Sequence, residues 1–201
     1  MTTLQKKEYS EELKKEIEGI IKNEDLDCSI EEFEDKINWK DISKYKNLSE
    51  NFIRRFQDKV DWKNISEHQK LSLDFIREFQ DRVCWEYISE HQKLSLDFIR
   101  EFKNKVNWSG ISYSQVLSED FIREFQNRVD WRAISLSQTL SEDFIREFKD
   151  KVSWKNISWS QELSLDFIAE FNNRINYREM LNNKKTIGNM LNEIISKLKK
   201  I

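Results

Sequence analysis

The sequence predicts an all-α protein, an α-solenoid of six to seven 23-residue two-helix repeats with N- and C-terminal capping helices. Three observations predict this fold. The same residue types recur every 23 positions through most of the chain. The 201 residues include three glycines and no proline, which argues against a sheet joined by tight turns. Within each 23-residue unit the apolar residues follow helical spacing.

The repeat is carried by columns of identical residues. Tryptophan stands at Trp39, Trp62, Trp85, Trp108, Trp131 and Trp154, with Tyr177 in the next place. Phenylalanine stands at Phe52, Phe75, Phe98, Phe121, Phe144 and Phe167. Leucine stands at Leu48, Leu71, Leu94, Leu117, Leu140 and Leu163. So many columns in one register define a repeat rather than a chance similarity.

The first helix of a repeat, helix A, is predicted from residues 71–93. Ser72 is a favourable N-cap residue because its side chain can accept a backbone N–H of the first turn. Phe75, Phe79 and Val83 follow at four-residue intervals and mark one helical face. This spacing predicts a helix of about three turns.

The second helix, helix B, follows a polar break at Cys84. The other repeats place good N-cap residues at that break: Asn38, Asp61, Asn107, Asp130, Ser153 and Asn176. Trp85, Ile88 and Gln92 then lie on one helical face. Helices this short are marginal alone, since isolated helices need about 12–15 residues. We therefore expect helix A to stack on helix A and helix B on helix B, whereas an orthogonal bundle is the less favoured alternative.

The chain ends do not match the repeat and are predicted to be caps. Residues 3–22 show the pattern of a charged amphipathic helix. The predicted organisation is a single repeat domain over 1–201, with an N-terminal cap at 1–24, repeats at 25–185 and a C-terminal cap helix at 186–201.

Four invariant columns have competing interpretations. The tryptophans are favoured as core, and stacking platforms for nucleic-acid bases are the alternative. The serines after each repeated isoleucine are interpreted as small residues that permit close helix packing. The glutamines could form a ladder between repeats or bind a ligand. The arginines could grip phosphates, but i,i+4 pairs such as Glu124 with Arg128 and Glu147 with Lys151 favour a self-neutralised face.

Positions that vary between repeats are free to serve a partner. They lie two, five and six residues after each tryptophan. In the second half of the chain Tyr113, Leu136 and Trp159 share one column, where a solvated helix should be polar. We predict partner binding by these three residues together with Tyr87 and His91. Whether this apolar column is exposed or covered by the C-terminal cap is left open.

The sequence predicts no catalytic site, no cofactor and no metal site. His68 and His91 occupy equivalent positions, but only Glu67 and Glu90 accompany them. Two cysteines do not make a disulfide framework. We find no apolar run that would span a membrane and no signal-peptide pattern, and we expect a cytoplasmic protein.

The motif LSxDFIREFxxxVxWxxISxxQ resembles repeats in proteins of bacteriophages and giant viruses, over residues 25–180. No activity attaches to that family. A viral origin would imply action on a host component in the host cytoplasm, for instance inhibition of an antiviral or CRISPR protein. Three functions are therefore considered: a non-enzymatic protein-binding scaffold, a nucleic-acid or nucleotide binder, and a virion or assembly protein. The net charge of −3 disfavours nucleic acid as the partner.

Overall fold

The computed structural model describes residues 9–45 and 47–198, apart from the side chains of Tyr45 and of residues 193, 194 and 196–198. These residues form sixteen helices and no strand, which confirms the all-α class. They divide into two compact units, one ending at Gln92 and the other beginning at Lys93. The repeat frame of the sequence continues through this boundary, and the single repeat domain stays a prediction.

Seven two-helix repeats lie between two cap helices, as an α-solenoid requires. Helix A of successive repeats is α2 (Phe33–Lys36), α4 (Glu50–Arg55), α6 (Leu73–Glu78), α8 (Leu96–Glu101), α10 (Glu119–Glu124), α12 (Glu142–Glu147) and α14 (Leu165–Glu170). Helix B is α3 (Trp39–Tyr45), α5 (Trp62–His68), α7 (Trp85–His91), α9 (Trp108–Ser114), α11 (Trp131–Ser137), α13 (Trp154–Ser160) and α15 (Tyr177–Met180). The caps are α1 (Glu11–Asn23) and α16 (Lys184–Leu198).

Helix A is shorter than its apolar spacing predicts. In α10 the Ser118 hydroxyl accepts the N–H of Phe121 at 3.2 Å, which confirms the predicted N-cap. The helix ends after six residues, at Glu124, and Phe125 is its C-cap. The chain then makes a tight turn, in which the N–H of Val129 donates to the carbonyl oxygen of Phe125 at 3.1 Å. Phe125 and Val129 thus keep the four-residue apolar spacing although they lie in the turn that follows the helix.

Helix B begins at the predicted polar break in most repeats. The carboxylate of Asp130 accepts the N–H groups of Arg132 and Ala133 at 2.9 and 3.1 Å. Ser153, by contrast, makes no side-chain bond to α13, so its predicted capping role is wrong. Within each unit, consecutive B helices pack directly on one another, from α3 to α7 and from α9 to α15.

In five repeats a buried serine joins helix B to the next repeat. The Ser112 hydroxyl, fully buried, donates to the carbonyl oxygen of Trp108 at 2.6 Å and accepts the N–H of Asp130 at 2.9 Å. Ser43, Ser66, Ser135 and Ser158 make the same pair of bonds. The serine column therefore does more than permit close packing, because each hydroxyl satisfies the N–H that begins the next break.

The two caps differ slightly from their predicted bounds. Helix α1 begins at Glu11. Ser10 is its N-cap, and the Ser10 hydroxyl accepts the N–H of Leu13 at 3.3 Å. The Glu16 carboxylate of α1 accepts the N–H of Ser49 at 2.8 Å, as Glu119 does for Ser141 in a full repeat. The C-terminal cap helix begins at 184 rather than 186. Residues 1–8 and 199–201 of the predicted caps lie outside the described residues.

Tyr9, which precedes the N-terminal cap helix, is expected to make the stability of the protein depend on pH. Burial and a 2.8 Å hydrogen bond to Glu34 raise the pKa of Tyr9 from 10.0 to about 12. Between pH 10.0 and about 12 the Tyr9 hydroxyl ionises in the unfolded chain but stays protonated in the folded protein. The stability that Tyr9 contributes below pH 10.0 is therefore lost as the pH rises towards about 12. We expect the urea midpoint of the wild type to fall more steeply over this range than that of Tyr9→Phe. Parallel pH profiles for the two proteins would contradict this assignment.

Candidate protein-interaction surface

The surface is built on three consecutive B helices of the second unit, α9, α11 and α13. Gly110 and Ala133, two residues after their tryptophans, are buried where these helices meet. In the next repeat the Asn156 amide donates to the carbonyl oxygen of Arg132 at 2.9 Å. At Gly110 and Ala133 the position two residues after the tryptophan is therefore buried and does not belong to an exposed face, whereas Asp41 at the same position is exposed.

Tyr113, Leu136 and Trp159 form an exposed apolar stripe, one residue from each of the three helices. Their exposed fractions are 61%, 38% and 47%. Val116, three residues after Tyr113, is 93% exposed but lies beyond the end of α9. The exposure of Trp159 answers the question left open by the sequence, since the described part of the C-terminal cap does not cover it.

A basic row borders the apolar stripe. Arg132 and Lys155 stand four residues before Leu136 and Trp159, so each pair shares one helical face. The Arg132 side chain is exposed and makes no ion pair with any described residue. The Lys155 Nζ lies 3.6 Å from the Glu179 Oε1, and 69% of the Lys155 side chain is exposed. The sequence analysis missed this row, although its four-residue spacing from the stripe was readable.

Tyr87 and His91 form a separate group on α7 of the first unit. Their rings lie nearly parallel, with centroids 5.9 Å apart and 16° between the planes. The ammonium of Lys63 sits 5.3 Å from the Tyr87 ring centroid, and hydrogen bonding to Tyr87 raises the pKa of Lys63. Tyr87 is half-buried and His91 is exposed. Their role in partner binding stays a prediction, and the apolar stripe does not depend on it.

The tryptophan column is half-buried rather than fully core. The Trp131 indole N–H donates to the carbonyl oxygen of Gln126 at 2.9 Å. Its ring lies 4.8 Å from that of Phe148 in the next repeat, and the Lys151 ammonium stands 5.8 Å from its centroid. Trp39, Trp62, Trp108 and Trp154 likewise contact a phenylalanine of the following repeat, and Trp39 and Trp154 also lie near a cation. This arrangement disfavours their use as stacking platforms for bases.

The arginine column is neutralised by acidic residues of its own helix and of the next repeat. Arg123 bonds Glu147 of the next repeat at 2.8 Å and Asp120 of its own helix at 2.9 Å. The bond to Glu147 raises the pKa of Arg123. Its guanidinium also lies 5.0 Å from the Phe144 ring centroid. The predicted self-neutralised face is present, whereas the predicted pairs of Glu124 with Arg128 and of Glu147 with Lys151 are replaced. Glu124 and Glu147 instead bond the arginines Arg100 and Arg123 of the preceding repeat.

The glutamine column forms the predicted ladder between repeats. The Gln138 amide donates to the carbonyl oxygens of Ser112 and Gln115 at 3.0 and 2.8 Å, and its oxygen accepts the N–H of Leu117 at 3.0 Å. The members Gln69, Gln92, Gln115, Gln138 and Gln161 are all buried. These amides are occupied by backbone groups, so the ladder interpretation is favoured over ligand binding.

Other candidate sites are weaker. His68 and His91 each face the adjacent glutamate, at 3.7 and 3.9 Å, and the residues described contain no group of three metal-binding side chains. A shallow, open depression beside α1 is lined in part by Cys28 and Lys22. Neither feature gathers the groups that a catalytic or metal site requires.

Comparison with known proteins gives no relative. The sequence matches no protein-family model and no curated protein, and no solved structure matches the chain. Among the helices of residues 9–45 and 47–198, none is long and apolar enough to span a membrane. The class that fold and surface define is an α-solenoid repeat protein carrying an exposed apolar stripe.

Proposed function

We propose that this protein is a non-enzymatic scaffold that binds a partner protein through the apolar stripe. One observation carries the proposal. The repeat position occupied by Tyr113, Leu136 and Trp159 in the second unit is occupied by Lys44, Glu67 and Glu90 in the first. Because the same helical position is charged in one unit and apolar in the other, packing within the repeat does not demand the apolar residues. Exposed aromatic side chains are favoured anchors in protein interfaces.

The resemblance to viral repeats supplies the partner class to test first. It supports a host protein as the partner, encountered in the host cytoplasm, and inhibition of an antiviral or CRISPR protein as the outcome. Nucleic acid is the less favoured partner, because the arginine column is held by carboxylates such as Glu147 and Glu124. An assembly role would use the stripe for self-association instead.

A capture experiment tests the proposed function. Replacing both Tyr113 and Trp159 with alanine should abolish capture of a partner from host-cell lysate, because it removes the two aromatic anchors of the stripe. The captured proteins are identified by mass spectrometry and then bound as purified proteins to confirm direct contact. Helical content and thermal unfolding of the double variant should match the wild type, since both side chains are exposed.

Tyr177→Ala is the matched control. Tyr177 is an aromatic residue of the same unit, is 47% exposed like Trp159, and lies outside the stripe. The control should capture the partner as the wild type does. Undiminished capture by the Tyr113/Trp159 double variant would contradict the assignment of the apolar stripe as the partner-binding site. If no protein is captured and the purified protein binds labelled single-stranded RNA, nucleic-acid binding becomes the favoured function.

A further inference from the structure

We infer that the occupant of the apolar stripe is an amphipathic α-helix with an acidic edge. This inference rests on the proposed function and names the chemistry of the partner. Packed helices lie about 8–10 Å apart, so two steps from Tyr113 to Trp159 span about 16–20 Å. An α-helix covers that length in about 11–13 residues at a rise of about 1.5 Å per residue. Three or four turns with one apolar face would therefore contact all three side chains.

Backbone hydrogen bonding selects a helix over an extended segment. The polar backbone groups of α11 are bonded within the helix and its caps, as in the bond from the Gln138 N–H to the carbonyl oxygen of Ile134 at 3.1 Å. An extended segment lying on such a surface would find no strand edge to pair its own N–H and C=O groups. A helix satisfies these groups internally and presents only side chains.

The charge around the stripe defines one edge of the partner helix. Arg132 and Lys155 lie one helical turn from Leu136 and Trp159, in the second and third repeats of the stripe. The equivalent place beside Tyr113 is Ser109, so no acidic residue occupies this row in the second unit. A helix seated on Leu136 and Trp159 would thus have its adjacent edge beside Arg132 and beside Lys155, whose ammonium is also 3.6 Å from the Glu179 carboxylate. Complementarity favours Asp or Glu along that edge.

Designed peptides test the inference directly. The probe is a fluorescein-labelled peptide of about 18 residues, with leucine at i, i+4, i+7, i+11 and i+14 and glutamate along one edge. One control has the same composition in an order that breaks the apolar face, and a second replaces the glutamates with lysines. Anisotropy titration should show the acidic helix binding at least about tenfold more tightly than either control.

Variants of the full chain assign that binding to the stripe. Trp159→Ala should weaken binding of the acidic peptide by about 30-fold, as expected for an aromatic anchor. Replacing both Arg132 and Lys155 with glutamate should reverse the preference between the acidic and basic peptides, while Tyr177→Ala should leave both affinities unchanged. The inference is overturned by equal binding of the scrambled peptide or by failure of the acidic peptide to bind. A dimer dispersed by Trp159→Ala, seen by sedimentation velocity, would place a second copy on the stripe and also overturn it.

Competition separates this inference from the proposed function. The unlabelled acidic peptide is added to the capture experiment with the wild-type protein. Displacement of the captured partner supports the helical occupant. If capture is lost in the Tyr113/Trp159 double variant but survives excess peptide, the scaffold function stands and the helical occupant is wrong. If capture survives in the double variant, the proposed site itself is wrong, whatever the peptide does.

Discussion

Replacing Phe121 with alanine is expected to lower the free energy of unfolding by about 3–5 kcal/mol, the usual range for a buried phenylalanine. Phe121 is fully buried, and its ring centroid lies 4.8 Å from that of Phe125 and 6.4 Å from that of Trp108 in the preceding helix B. The Arg100 guanidinium lies 5.1 Å from the same centroid. Truncation therefore opens a cavity at a point where two successive repeats meet. Urea unfolding followed by circular dichroism measures the loss.

Val116→Ala is the control for this substitution. Val116 precedes Phe121 by five residues and is 93% exposed, so its truncation removes almost no buried surface. We expect its unfolding midpoint to match the wild type within about 0.5 kcal/mol. A loss at Phe121 no larger than that at Val116 would show that the phenylalanine column does not form the core of the array.

Replacing Gln138 with leucine is expected to cost about 3 kcal/mol or more. The substitution keeps a side chain of similar size but removes three hydrogen bonds at once. The carbonyl oxygens of Ser112 and Gln115 and the N–H of Leu117 lose this buried partner, and each buried group left unsatisfied costs about 1–3 kcal/mol. The same urea measurement applies, with amide hydrogen exchange at Leu117 as a local readout.

The same substitution at Gln126 provides the comparison. The Gln126 amide is half-buried and bonds the Lys151 ammonium at 2.7 Å and the Arg123 carbonyl oxygen at 3.3 Å. Water can replace these bonds, so Gln126→Leu should cost far less than Gln138→Leu. Equal losses at the two positions would refute a special role for the buried ladder.

The final repeat keeps the ladder with different residues. Lys184 occupies the place where the frame would put the next glutamine. Asn183 instead donates to the carbonyl oxygens of Ser158 and Gln161 at 3.2 and 2.6 Å, and the Thr186 hydroxyl accepts the N–H of Leu163 at 3.3 Å. Two side chains thus replace one amide, which argues that the bonds rather than the glutamine itself are required at the end of the array.

The sequence predicts more of the scaffold than of its connections. The caps at Ser72 and Asp61 and the helical faces are local, since their partners lie within four residues. The serine and glutamine bonds join groups 18–26 residues apart, as from Ser112 to Asp130 and from Gln138 to Ser112. Repetition of a serine shows that it matters but does not show which backbone group it meets, so these roles were only partly predicted.

The two tryptophans of α13 show what the sequence alone does not determine. The 23-residue period determines the helical class, six to seven repeats and the positions of the apolar columns, because these follow from spacing along the chain. Only the tertiary structure decides that Trp154 packs against Phe171, with centroids 4.9 Å apart, whereas Trp159 remains 47% exposed. Both are large aromatic residues of one short helix. Their burial differs because the following repeat covers one side of that helix and leaves the other to solvent.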